Sequence, residues 1–255
     1  MKRILIAILF LSEIAYGFTD AEEPQKMIWA FDGMTGKFDY ESIQRGFKVY
    51  KEICSACHGA RLLAFRDLEQ ISFSEEQVKS LAAEYDIQDG PNDNGDMFKR
   101  PGRSSDQIPG PFANEKAARA ANNGALPPDL SLIIKARNAG ANYVYSLLTG
   151  FQDPPEGIKL GDNMHYNQYY AGRQIAMTPP LISEGQVIFD DGTKATIDQM
   201  AFDVVNFLQW VAEPEMEKRK SLGLRVLTFV GILIVLSYFA NKAIWSDLKK
   251  KKDEN

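Results

Sequence analysis

The chain is poor in the residues that most often build metal centres and disulfide frameworks: its 255 residues include two cysteines and two histidines. Two thiols form one bridge at most, which excludes the multi-bridge scaffold of a small secreted domain. A zinc site would call for more Cys or His ligands than one local cluster here can supply. Positive charge is also in deficit. With 29 Lys and Arg against 34 Asp and Glu, the formal net charge is −5, which argues against nucleic acid, a ligand that calls for basic patches. Sustained period-two alternation is missing as well, so no large sheet is expected and the globular part should be mainly helical. What remains is ordinary: 45% hydrophobic and 25% charged residues, enough for one sizeable domain or two small ones.

The two cysteines are not scattered. They stand in Cys54-Ser55-Ala56-Cys57-His58, and C-x-x-C-H is the spacing by which haem is covalently attached. Two thiols one helical turn apart can each add to a haem vinyl group, and the histidine after the second is then held beneath the iron as proximal ligand. A bare C-x-x-C also serves as a dithiol redox pair, half a zinc site or a disulfide; the adjoining His58 and the lack of further ligands favour haem. The sixth position is open at this stage. Met177, in the proline-stiffened AMTPPL, is one candidate; His165 and Met164 are the others.

Along the chain, residues 1–17 have a basic start at Lys2 and Arg3, a short apolar run, and Ala15 and Gly17 placed for cleavage, which reads as a secretory signal peptide. Residues 18–213 follow as the globular haem domain. Asp39 or Ser42 can cap a helix leading into Cys54, with Gly46 inside it where another helix would come close. Residues 67–96 carry nine acids against the single base Lys79; such a stretch is a solvated face or a docking surface for a basic partner. Short helices are expected after Asn114, from Asp129 or Ser131 to Arg137, and up to Gly150, and a longer one after Thr196. Residues 222–245 are apolar enough to span a bilayer. With an exported domain, residues 246–255 become a basic cytoplasmic tail.

Several blocks in this order resemble the cytochrome c1 family of the cytochrome bc1 complex: RGFKVYKEICSACH, MFKRPGRSSD, AARAANNGALPPDLSLI, YNQYYAGRQIAMTPPL and FLQWVAEPE. The resemblance covers nearly the whole chain after the leader. It implies a cytochrome c-like fold with long loop insertions and one C-terminal transmembrane helix. It implies one covalent haem c on Cys54 and Cys57, ligated by His58 and Met177, with the Pro128 carbonyl orienting His58 and Arg137 reaching a haem propionate. The implied partners are cytochrome b and the Rieske iron-sulfur protein, with a cytochrome c as electron acceptor, in a dimeric complex; the signal peptide puts the haem domain on the periplasmic side of a bacterial inner membrane. YYAG departs from the family's usual proline before the glycine. The architecture alone also fits a tethered cytochrome c donor to a terminal oxidase or nitric oxide reductase, or a haem-based gas sensor.

Overall fold

The computed structural model describes residues 21–253, with side chains to residue 246. The signal peptide expected at 1–17 lies outside the described residues. Helix α1, Tyr40–Glu52, starts at Asp39, whose carboxylate accepts the Ser42 amide at 3.1 Å. It buries Ile43, Gly46, Phe47 and Tyr50 on one face. Beyond it lie strand β1 (Ala60–Ala64), a 3-10 helix (Phe65–Ile71), α2 (Glu75–Ala83), β2 (Asp86–Asp89), β3 (Phe98–Pro101) and β4 (Gln107–Ile108). Then come α3 (Glu115–Ala121), α4 (Gly140–Thr149), β5 (His165–Tyr166), β6 (Gln174–Ile175), α5 (Ile197–Ala212) and α6 (Met216–Asp253). The strands form three two-stranded antiparallel ribbons, β1–β4, β2–β3 and β5–β6. The fold is thus mainly helical, as the absence of alternation implied.

Helices α1 and α5 cross at Gly46. A Cβ there would stand 1.9 Å from the Asp203 carbonyl oxygen and 2.8 Å from Phe207 Cβ, so the two backbones meet only because no side chain intervenes. Beside the crossing, the Asp203 side chain is fully buried. Its carboxylate accepts from Ser42 Oγ at 2.6 Å and from Arg45 Nε and Nη2 at 2.8 and 3.1 Å. Arg45 also reaches Asp191 at 2.8 Å, so the buried charge is paired and its oxygens are occupied. Phe47 and Tyr50 each pack against the Phe207 ring at 5.5 Å between centroids.

One local reading needs correction. The stretch from Asp129 to Arg137 is not a helix but a run of turns, closed by Ile133 to Leu130 and Lys135 to Leu132 amide–carbonyl bonds. The Asp129 and Ser131 side chains are occupied by amides of β1, which ties this segment to a strand instead of winding it. The acidic stretch, for which no element was expected, contains α2, started by a reciprocal cap in which Ser74 and Gln77 bond each other's amides.

The root of α6 belongs to the globular domain. Met216 is only 2% exposed, Glu217 accepts the Phe38 amide at 2.7 Å, and Lys220 Nζ donates to the Phe31 and Gly36 carbonyls at 2.5 and 3.3 Å. Farther along, the helix carries an apolar window of mean hydropathy 2.1, none of it buried. A helix apolar on all sides and covered by nothing has the length and composition to cross a membrane.

Candidate haem site

The C-x-x-C-H motif begins where α1 ends. The Ile53 amide still bonds Val49 in helical fashion, and the chain then tightens into a 3-10 turn at Cys54–Ala56. The Cys57 and His58 amides both donate to the Cys54 carbonyl, at 3.1 and 2.9 Å, and Ser55 Oγ donates to the Lys51 carbonyl at 2.6 Å. Both thiols are free. Burial pushes the Cys54 thiol up to about 12, with Cys57 adding to the shift. That is the opposite of the depressed thiol that a dithiol oxidoreductase uses.

His58 is fixed from outside the motif. Its Nδ1 lies 2.7 Å from the Pro128 carbonyl oxygen. A carbonyl only accepts, so Nδ1 carries the proton and Nε2 keeps its lone pair free for a metal. Burial lowers the imidazole's pKa, opposed by the Pro128 bond and the nearby Asp129 charge. Tyr50, itself buried, directs its hydroxyl at the His58 carbonyl from 3.4 Å.

Cys54, Cys57, His58 and Pro128 are therefore brought together. Met177 lies elsewhere on the chain, half-buried, two residues beyond β6 and just before Pro179 and Pro180. Its rival His165 pairs with Ile175 across the β5–β6 ribbon, and Met164 precedes it in the same stretch. All three rivals thus share one segment. Arg137 is exposed, and its guanidinium donates to the adjacent Ala136 carbonyl at 3.1 Å.

The residues present fit haem. The motif supplies two thiols and a neutral imidazole with one nitrogen already occupied, the donor set that covalent haem ligation uses. Leu126 and Leu132, on the segment of Pro128, and Ile182, just past Met177, remain 37%, 46% and 72% exposed. Large apolar side chains left open on each segment suit contact with a large apolar group. The sequence reading missed Asp129, Ser131 and Tyr50; the P-D-x-S pattern at 128–131 was the available signal, as Asp and Ser so spaced often bond nearby backbone.

A mainly helical domain with a C-x-x-C-H turn at the end of its first helix, and one long apolar helix at its C-terminal side, has the make-up of a membrane-anchored c-type cytochrome. Comparison with known sequences narrows that class. Residues 29–248 match the profile of the Cytochrome C1 family. The chain is 45% identical over 268 residues to cytochrome c1 of Rhodospirillum rubrum, covering 98% of both proteins. It is 48% identical over 225 residues to the mitochondrial cytochrome c1 heme protein of Saccharomyces cerevisiae, covering 88% of this chain and 72% of that one. It is also 47% identical over 249 residues to the cytochrome b/c1 protein of Bradyrhizobium diazoefficiens, covering 89% of this chain and 36% of the other. The chain belongs to the cytochrome c1 family.

Proposed function

We propose that this protein is the haem c subunit of a cytochrome bc1 complex, passing single electrons from the Rieske iron-sulfur protein to a cytochrome c. The observation that carries this reading is the 2.7 Å contact between His58 Nδ1 and the Pro128 carbonyl. It leaves Nε2 as the coordinating nitrogen, one residue beyond a pair of free thiols. Cys54 and Cys57 would hold the haem by thioethers, and His58 and Met177 would ligate it. When bound, the group supplies reversible one-electron chemistry, at a potential that a Met/His ligand pair raises. The chain's own residues bind and orient it: Pro128 sets the His58 tautomer, Leu126 and Leu132 offer apolar contact, and Arg137 is assigned to a propionate. No bond between substrates is made or broken here, so the chain serves a quinol-oxidising enzyme as its electron-transfer subunit.

Cytochrome b is the natural neighbour of the exposed α6, because a relative is named for both proteins in one chain. A signal peptide at 1–17 with α6 as stop-transfer segment would put the haem domain on the periplasmic side of a bacterial inner membrane, with the basic tail inside. A dimeric complex follows the family pattern.

The test is to produce the full chain with the machinery for c-type haem attachment and purify it in mild detergent. Haem should remain with the polypeptide on a denaturing gel, be lost from Cys54→Ala/Cys57→Ala, and accompany cytochrome b and a Rieske protein. A reduced protein that binds carbon monoxide without any substitution would favour an open-site gas sensor. Co-purification with a terminal oxidase alone would favour the tethered-donor reading.

A further inference from the structure

The Pro128 carbonyl can hold His58 only if something holds Pro128. Residues 125–129 have no regular secondary structure, and a proline has no amide hydrogen with which to secure itself. The next residue does this work. Asp129 Oδ2 accepts the Arg61 amide at 3.0 Å, and Oδ1 accepts the Ser131 amide at 2.9 Å. On either side, the Leu130 amide donates to the Gly59 carbonyl at 2.8 Å and the Leu62 amide donates to Ser131 Oγ at 3.0 Å.

These bonds use backbone that the ribbon leaves available. The β1–β4 register shifts between Ala60 and Ala64, and the Arg61 and Leu62 amides inside that irregular stretch turn to the loop instead. Gly59 leaves room for the arrangement, since a Cβ there would come within 3.1 Å of both Asp129 Oδ2 and Gly110 Cα. The segment immediately after His58 is therefore bolted to the segment that orients its ring.

We infer that Asp129, seconded by Ser131, is a positioning residue for the proximal ligand: it sets how firmly the Pro128 carbonyl holds His58 Nδ1–H and thereby tunes the haem potential. The inference rests on His58 being the haem ligand. A firmly accepted Nδ1–H makes the ring a stronger donor through Nε2, which favours ferric iron and keeps the potential down. Slackening the loop weakens that donation, and the potential rises.

Asp129→Asn keeps one acceptor oxygen and turns an N–H towards an amide that formerly had a partner. Ser131→Ala removes the Leu62 bond with no change of charge. The full-length, haem-loaded protein is studied in detergent. Because the chain has two histidines, 15N-histidine labelling of the reduced protein resolves the His58 ring directly. Two quantities are read, the exchange rate of His58 Nδ1–H with solvent and the midpoint potential. In Asp129→Asn the exchange should quicken about fivefold, the consequence of losing one ordinary hydrogen bond, and the potential should rise. Ser131→Ala should shift both in the same direction by less. An unchanged exchange rate in Asp129→Asn overturns the inference even if the potential moves, because a field effect of the lost charge then suffices. If Asp129→Asn does not load haem, Ser131→Ala decides, and wild-type values for both quantities there overturn it. A wild-type protein without covalent haem would instead remove the reading of His58 on which the inference rests.

Discussion

The segment facing His58 and the segment carrying Met177 are held in different ways. On the His58 side, residues 59–62 and 129–131 exchange three hydrogen bonds, a fourth joins the Ser131 amide to Asp129 within the loop, and a fifth ties the histidine ring to Pro128. On the Met177 side, the chain is pinned at its ends. The short β5–β6 ribbon holds one end, and Gln186 holds the other by donating to the Pro180 carbonyl at 2.9 Å and accepting the Ile182 amide at 3.0 Å. Met177 sits between these anchors. If His58 and Met177 ligate a haem as proposed, the first, next in sequence to the attachment cysteines, can be aligned before the haem arrives, whereas the second, more than a hundred residues away, relies on the stiffness of its own segment. Two prolines limit the backbone freedom lost when that segment settles.

The largest predicted effect is on the less secured side. Met177→Leu should leave haem covalently attached but open the sixth position. The reduced protein should then bind carbon monoxide stoichiometrically where the unsubstituted protein binds none, and the potential should fall markedly as the sulfur that stabilises ferrous iron is lost. His165→Ala should do neither. A six-coordinate spectrum that survives Met177→Leu and is lost in His165→Ala would reverse the assignment within the same segment.

Both segments hang from the α1–α5 crossing, so a break there should loosen both. Removing the partner of a buried ion is costly: Asp203→Ala should destabilise the domain by about 3–5 kcal/mol, because Arg45 and Ser42 lose a fully buried carboxylate. Gly46→Ala should cost about 1–3 kcal/mol or more through the collision with the Asp203 carbonyl. Thermal unfolding of the detergent-solubilised protein measures each. A loss under 1 kcal/mol in both would show that the crossing relaxes freely.

That crossing was legible in outline, because a glycine amid Ile43, Phe47 and Tyr50 on a helix asks for a close neighbour. The caps at Asp39, Asn114 and Thr196 were legible for the same local reason: their bonds span three residues. The C-x-x-C-H turn and the apolar α6 also announce themselves in spacing and composition. What was not legible depends on partners distant in sequence. Nothing near Asp203 points to Arg45, 158 residues away, and the turns at 129–137 look helical until β1 claims the Asp129 and Ser131 side chains. The root of α6 is hidden similarly. The domain expected to end at residue 213 continues past it, for Met216 joins the core and Lys220 bonds the loop at Phe31 and Gly36. A soluble haem domain is therefore better ended after Ser221 than near Glu213.

Acid should weaken the supports of both segments at once. Asp106 precedes β4 on the His58 side, and its paired contact with Arg100, at 2.6 and 3.0 Å, holds its carboxyl down at about 2. Asp191 precedes α5, and the Thr193 amide, then Arg45, hold it at about 2 as well. Both folded values lie below the ordinary 3.8, so the stabilisation is fully present above pH 4 or so and is lost as pH falls towards 2. Melting temperature should drop steadily across that interval. Arg100→Gln should flatten the part owed to Asp106, and a slope identical to the parent's would show that this pair contributes nothing.

The smallest effect is expected on the acidic stretch of residues 67–96, which contains neither His58 nor Met177. Nine acids against Lys79 suggested a strong field, but the fold brings other cations to it. Glu84 pairs with Lys51 at 2.8 Å, Asp86 with Lys99 at 3.9 Å and Asp89 with Arg100, while Glu75 meets Lys79 at 2.6 Å. Glu69, Glu76, Asp93 and Asp96 take part in none of these pairs. If this surface steers a basic cytochrome c, reversing Glu69 and Glu76 together should slow the second-order electron transfer only a few-fold, and Lys51→Ala or Lys99→Ala should quicken it by a similar factor. Electron transfer within the docked pair should be unchanged, because a field of this range acts on encounter. Both effects should fade in salt, as the Debye length shrinks from about 10 Å at 0.1 M to about 3 Å at 1 M. A merely solvated face predicts no change in either direction, so opposite responses to acid reversal and lysine removal are the result that separates docking from solvation.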